Sequence, residues 1–340
     1  MPIAPAFWHQ PPGLLAHLLS PIGAACDAAG HLRRVISRSY RAPVPVVCVG
    51  NLVAGGAGKT PVALALAAWF LERGVPVHIV TRGYGGRLRG PLRVDPDRHD
   101  AVAVGDEALL LAARAPCWVA RDRAAGVRAA VAAGAGAILL DDGFQNPAVA
   151  KTLGLVVVDA DYGFGNGRVI PGGPLRENLR RGLARADAVV LIAAEGELSR
   201  AGALRRGCRA PMLNAVLAPL NGERLARKRL MAFAGIGRPE KFFATLRALG
   251  AVLVGTRAFS DHHPFRATEL EGLRRDAQGS GARLITTTKD IVRVPSAQRA
   301  GIEVLEVEIR WSEPTALAQL LNPIVRSVRG NRRELAEHFG

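Results

Sequence analysis

Cysteine is scarce and scattered. The four residues at positions 26, 48, 117 and 208 form no Cys-x-x-Cys pair and no metal-ligand rhythm. A disulfide framework or a structural zinc site is therefore not expected, and free thiols in a reducing compartment are. Long hydrophobic runs are also missing: none approaches a membrane span, and the first ten residues lack the basic start of a signal peptide. The expected location is cytoplasmic. Lysine occurs only at positions 59, 151, 228, 241 and 289, so 40 of the 45 basic residues are arginine. Aromatic residues make up just 5% of the chain and no nucleic-acid module is recognisable, so nucleic-acid binding is not expected despite a net charge of +16. There is no internal repeat and no low-complexity segment.

What remains describes a folded α/β protein. Apolar residues are 49% and charged residues 22% of the 340 positions, enough to bury one large core or two smaller ones. Arginine's planar fork suits phosphate oxygens, which makes anionic partners plausible, although a compositional bias toward Ala, Gly and Arg accounts for the charge equally well.

Residues 1–41 stand apart. Leu15, Leu18, Leu19, Ile22, Cys26, Ala29, Leu32 and Ile36 recur at helical steps. Ser20-Pro21 reads as an N-cap and first-turn proline, so two short amphipathic helices are expected. Basic residues gather toward the end of this segment, with Phe7 and Trp8 ahead of it. Such a segment can lie in a membrane interface, or pack on its own domain.

From Val44 on, short apolar runs alternate with helical stretches. "VPVVCVGN" (44–51), "VPVHIVT" (75–81), "GAILLDD" (136–142), "GLVVVDAD" (154–161) and "DAVVLIA" (187–193) read as buried strands of a mostly parallel, doubly wound sheet. A second series at 228–237, 250–259, 281–288 and 302–309 implies a second, smaller α/β domain. The expected division is 42–220 for the larger domain and 228–311 for the smaller. A C-terminal helix and tail follow over 312–340, the end of it frayed.

The loop "VGNLVAGGAGKTP" (49–61) runs from a strand into a helix. Backbone N–H groups of Gly55, Gly56, Ala57, Gly58, Lys59 and Thr60 can surround phosphate oxygens at the helix's positive end. Lys59 adds charge at the β- and γ-phosphates, and Thr60 a hydroxyl for magnesium. The strict P-loop pattern places a glycine five positions before Gly58, where this chain has Val53. "AILLDDGFQ" (137–145) ends in paired aspartates, Asp141 and Asp142, as a Walker B strand does; extended backbone would aim them at opposite faces. "TRGYGGRLRG" (81–90) lies at a strand end, where parallel sheets form ligand crevices. "GDE" (Asp106, Glu107) alone reads as an ordinary helix start, and "FSDHHPF" (259–265) offers a histidine pair without further metal ligands.

Taken together and in order, "VGNLVAGGAGKTP", "TRGYGG", "VGDE", "LLDDGFQ", "GNGRVIPGGPLRE", "FSDHHPF" and "TTTKD" resemble the tetraacyldisaccharide 4'-kinase family, the lipid A 4'-kinases, from about residue 5 to residue 325. That resemblance implies an ATP- and magnesium-dependent kinase. Its substrate would be the 4'-hydroxyl of a tetraacylated glucosamine disaccharide 1-phosphate at the cytoplasmic face of the inner membrane. It implies that Asp106 is the general base and His262 its partner, His263 being the lesser choice. Lys59 and Thr60 would hold phosphates and magnesium. Asp141, Asp142, Glu107 and Gln145 would surround the metal and γ-phosphate, with Glu177 a further magnesium ligand and Arg176 a phosphate contact. Arg82, Gly83, Tyr84 and Gly85 would cradle the lipid headgroup. Relatives often carry an acid where this chain has Thr288. No protein partner is implied. The rival reading is a P-loop GTPase or ATPase of the metallochaperone or partitioning type. Against it, Thr288-Lys289-Asp290 lacks the spacing of the guanine-reading Asn-Lys-x-Asp element, and Ala54 stands where another form of the loop has lysine.

Overall fold

The computed structural model describes residues 5–193 and 208–339. Nine strands form the larger sheet. In chain order they begin with β1 (Val46–Gly50), β2 (Val77–Thr81), β3 (Leu92–Arg93), β4 (Cys117–Val119) and β5 (Ala137–Asp141). β6 (Leu153–Asp159), β7 (Ala188–Ala193) and β8 (Met212–Pro219) follow, and the last strand of the chain closes one edge. Four others make the smaller sheet: β9 (Arg229–Ala234), β10 (Val252–Ala258), β11 (Arg283–Thr287) and β12 (Ile302–Leu305). The larger sheet runs β13-β8-β7-β6-β1-β5-β2-β4-β3, where β13 is Val307–Trp311, and only its two edge pairs are antiparallel. The smaller, β10-β9-β11-β12, is wholly parallel.

Why the strands read as unbroken apolar runs is plain from β1. Successive residues face opposite sides of a sheet. Val47 and Val49 enter one core with Leu66 and Phe70, while Val46 and Cys48 enter another with Ile138 and Leu140. Both sides are covered, so neither tolerates polar residues.

The expected strand 302–309 is in fact two strands in two sheets. β12 completes the smaller sheet, and after Glu306 the chain crosses to pair Val307–Trp311 antiparallel with β8. The C-terminal helix, Pro314–Phe339, then seats Leu317, Leu321, Ile324 and Val328 in the core of the larger sheet. The smaller unit is thus an insertion between β8 and β13, and the tail expected to fray continues the helix to Phe339.

A second difference lies at the start. Instead of two helices there is one, α1 (Leu14–Ile36), with Pro21 inside it. Proline there removes a backbone donor, which ordinarily breaks a helix. Tertiary contacts hold this one together. Gly23 lies so close to the Val169 carbonyl that a Cβ would sit 2.6 Å from its oxygen. Buried Asp27 accepts hydrogen bonds from the Asn178 N–H at 2.8 Å and from Arg181. The opposite face is bare: Leu14, Leu18, Val35 and Ile36 are each at least 66% exposed. Among the described residues no helix is long and apolar enough to cross a membrane.

Candidate active site

β1 delivers the chain into the Gly55–Gly58 turn, and α2 (Lys59–Glu72) starts directly after it. Gly55 and Gly58 have φ of 114° and 82°, values that a side chain strongly disfavours. Gly58 is doubly required, because a Cβ there would meet Ile192 at 2.4 Å. Val53 needs no glycine. It bridges Leu175 as strands do, and neighbouring Ala54 donates to the Pro174 carbonyl at 2.8 Å. The leading residue of the loop is thus extended backbone with a buried side chain.

β5 lies beside β1, which brings the paired aspartates to the same end of the sheet as α2. Asp141 is the last strand residue and is fully buried. Asp142 turns away with φ 51°, so the pair does not alternate as extended backbone would make it. Asp142 lies 3.8 Å from the Lys59 ammonium and accepts from Arg176 at 2.9 and 3.2 Å. Burial alone would raise its pKa, but Lys59 and Arg176 hold it below the usual carboxylate range. Asp141 behaves oppositely. Burial, then the charges of Glu107 and Asp142, push it up to about 7. One of its oxygens accepts from the Thr81 hydroxyl at 3.2 Å; the other is buried without a partner.

Asp106 opens a short helix, Asp106–Ala112. Preceding Gly105 has φ 90°, and a Cβ there would strike the Tyr84 carbonyl at 2.4 Å. That contact locks the "GDE" turn against the "RGYG" loop. One Asp106 oxygen accepts from its neighbour Glu107's N–H; the other lies 2.9 Å from Nδ1 of His262. His262, with φ 60°, comes from the loop after β10, so the pair joins the carboxyl ends of the two sheets. Against burial, the His262 hydrogen bond and then the Lys289 and Arg293 cations keep Asp106 below its ordinary range. His263 turns elsewhere and meets Glu269 at 2.9 Å. The exposed Tyr84 ring stands 5.5 Å from the His262 ring.

Lys59 and Arg176 thus meet an acid pair of which Asp141 is buried, and Glu107, next to the Asp106–His262 pair, is felt by Asp141. The family model of tetraacyldisaccharide-1-P 4'-kinase matches residues 15–326. The tetraacyldisaccharide 4'-kinase of Rhodospirillum centenum is 56% identical, covering 95% of this chain and 96% of that one. That of Dinoroseobacter shibae is 52% identical, covering 94% and 97%. The chain belongs to the tetraacyldisaccharide-1-P 4'-kinase family. Its fold also resembles the crystal structure of LpxK from Aquifex aeolicus described as an "apo" form in complex with ATP. There the TM-score is 0.72 at 24% identity, covering 92% of this chain and all of that one.

The structure brings several of the sequence-predicted residues together. Lys59, Asp141, Asp142 and Arg176 are joined by the contacts above. Glu107 lies 3.6 Å from Lys289 and is felt by Asp141. Thr60 stands half-buried in the first turn of α2, and Arg82 and Gly85 are exposed while Gly83 is buried. Gln145 donates to the Asn51 carbonyl at the root of the glycine turn at 2.9 Å. Glu177, expected at the magnesium, is 1% exposed, and Arg185 meets both its oxygens at 2.6 Å while Arg34 of α1 lies 3.2 Å away and Gln145 donates at 3.1 Å. These two guanidiniums make the carboxylate a tie between α1 and the site. Arg34, Arg185 and Arg293 escaped sequence reasoning because nothing separates them from the other arginines of an arginine-rich chain.

Proposed function

We propose that this chain moves the terminal phosphoryl group of ATP directly to the 4'-hydroxyl of a tetraacylated glucosamine disaccharide 1-phosphate, at a membrane surface in lipid A biosynthesis. The Asp106–His262 contact of 2.9 Å, in the cleft that also holds the Gly-Lys-Thr turn, carries this reading. Phosphoryl transfer asks chiefly for positioning and charge neutralisation. The N–H groups of Gly55 to Thr60, with Lys59, receive the phosphates; Arg176 faces the transferred group. Asp106 accepts the proton of the 4'-hydroxyl as its oxygen bonds to phosphorus and the bond to the leaving ADP breaks. His262 orients that carboxylate. Asp106 is ionised at neutral pH, which makes it a weak base suited to a late proton transfer.

The donor set also suits magnesium. Among the described residues no three acidic, histidine or cysteine side chains form a ready cation cage. Magnesium rarely uses one, being held by one or two carboxylates together with substrate phosphates. Asp141 has a buried oxygen without a partner and a raised pKa, both of which a cation would relieve. Asp141, Asp142, Glu107 and the Thr60 hydroxyl would hold the ion, which supplies charge neutralisation for the phosphates.

The bare face of α1 supports peripheral docking on the cytoplasmic face of the inner membrane, where the substrate's acyl chains stay in the bilayer. Tyr84 stands beside the His262 ring, and with Arg82 and the Gly83 and Gly85 backbone it would cradle the acceptor headgroup. A nucleotide-hydrolysing switch protein needs no such carboxylate–histidine pair. In Asp106→Asn, turnover should fall by about 10²–10⁴-fold while nucleotide affinity stays within a few-fold of wild type. Equal losses in both would point to a metal or structural role and overturn the assignment.

A further inference from the structure

The "TTTKD" stretch enters the chemistry above only through the charge of Lys289, yet the structure sets it against His262, whose Nε2 lies 3.4 Å from the Lys289 ammonium. Thr287 starts the short helix Thr288–Ile291, its hydroxyl meeting the Asp290 carboxylate at 2.6 Å. Asp290 is fully buried; its other oxygen accepts from the Gly235 N–H at 2.9 Å and from Arg293 at 2.5 Å. Oriented in this way, the Arg293 guanidinium, 5% exposed, donates to the carbonyls of Gly235 at 2.9 Å and His263 at 3.2 Å. Those carbonyls bracket His262, whose own N–H donates to the Gly235 carbonyl at 3.1 Å. The third guanidinium nitrogen, Nε, donates to the Lys289 carbonyl at 3.3 Å and lies, as a charge, 3.5 Å from the Asp106 oxygen that His262 also contacts.

We infer that Arg293, set by Asp290, is a positioning residue for the transfer reaction, holding the His262 loop and the Asp106 carboxylate in register across the cleft. His262 has φ 60°, a left-handed conformation uncommon for a non-glycine residue and one that fixed contacts on either side of it would hold. The fork of Arg293 supplies that constraint from both sides of the residue. Lysine cannot replace it: a single ammonium reaches one carbonyl or the carboxylate, not all three at fixed angles. An ordinary buried ion pair would need only Asp290. Arg293 instead donates to two carbonyls flanking His262 and stands as a charge beside the base.

This inference rests on Asp106 being the base, and the test separates the two. Turnover is measured in wild type, Asp106→Asn, His262→Ala, Arg293→Met, Arg293→Lys and the His262→Ala/Arg293→Met double variant, each confirmed folded by thermal melting. If Arg293 acts through the pair, both single Arg293 variants lose about 10²-fold in kcat, the scale of a small misplacement of reacting groups, with ATP KM within about twofold. In the His262→Ala background the same Arg293 change should then cost less than about threefold, the non-additivity of residues acting as a unit. Full additivity, or recovery of wild-type turnover in Arg293→Lys, overturns the inference. Undiminished turnover in Asp106→Asn overturns the reading beneath it instead. Should Arg293→Met fail to fold, Arg293→Lys is carried through the same cycle, with the same two outcomes deciding.

Discussion

Nη1 of Arg176 donates to both carboxylate oxygens of Asp142, at 2.9 and 3.2 Å, on the side where Lys59 approaches to 3.8 Å. The two cations that a triphosphate would need are thus held in place by an acid until nucleotide arrives. Arg176→Met should raise the KM for ATP on the order of tenfold, about 1.4 kcal/mol, because a charge-assisted contact is lost. Arg176→Lys should fall between that variant and wild type. Unchanged nucleotide affinity in Arg176→Met would remove Arg176 from the phosphate site.

Asp141 leads to a pH prediction. Burial and its acidic neighbours push its folded pKa up to about 7, above the ordinary carboxylate value of 3.8. Below that ordinary value, folded and unfolded chains both keep the proton, and pH has no effect through this group. Between it and about 7 the unfolded chain has released the proton while the folded one retains it, so the metal-free protein loses stability as pH rises. A cation at Asp141 requires the ionised form. Magnesium affinity should therefore rise with pH up to about 7 and then level off, with proton release on the acid side. Titration calorimetry in two buffers of different ionisation enthalpy measures that release directly. Identical heats near pH 6 would show that Asp141 is not a ligand.

Leu14 and Leu18 sit on the bare face of α1, 79% and 66% exposed. Leu14→Asp with Leu18→Asp should leave the melting temperature nearly unchanged, since both side chains are largely exposed. Binding to vesicles containing anionic lipid should weaken by about 10²-fold or more, taking roughly 1.5 kcal/mol for each leucine withdrawn from an apolar phase. Co-sedimentation measures it. Equal binding by the variant would locate membrane contact elsewhere.

The cysteines predict a labelling pattern. Burial pushes the Cys48 thiol up to about 12 and raises Cys117 as well, whereas Cys26 is exposed on α1. Thiolate is the reactive form. A maleimide near neutral pH should modify Cys26 quickly and leave Cys48 and Cys117 untouched until denaturant is added, as mapped by mass spectrometry of peptides. Rapid modification of Cys48 in the folded protein would mean that the β1 region opens readily.

Much of the architecture was legible because it is written in short-range pattern. The buried strands at 46–50, 77–81, 137–141, 153–159 and 188–193 announce themselves as β-branched runs, and the Gly-Lys-Thr turn declares a helix start. Three features resisted. Pro21 suggested a helix boundary, yet packing of Gly23 and Asp27 on 169–178 carries α1 through it. "IEVLEVEI" reads as one strand, because nothing local marks Glu306 as the crossing between two sheets. Glu177 shared a motif with Arg176, but its oxygens went to Arg34 and Arg185, far apart in the chain.

Sequence by itself determined the element types, the phosphate-binding turn, the strand-end aspartates and, through seven ordered motifs, the family. These are local properties of backbone conformation and side-chain chemistry. Only the tertiary structure decided which carboxylate meets a histidine 156 positions away, which acid is taken up by arginines, and which arginine among forty reaches the base. The reason is physical: a side chain's partners, burial and protonation depend on what the folded chain packs around it, and residues remote in sequence supply most of that surrounding.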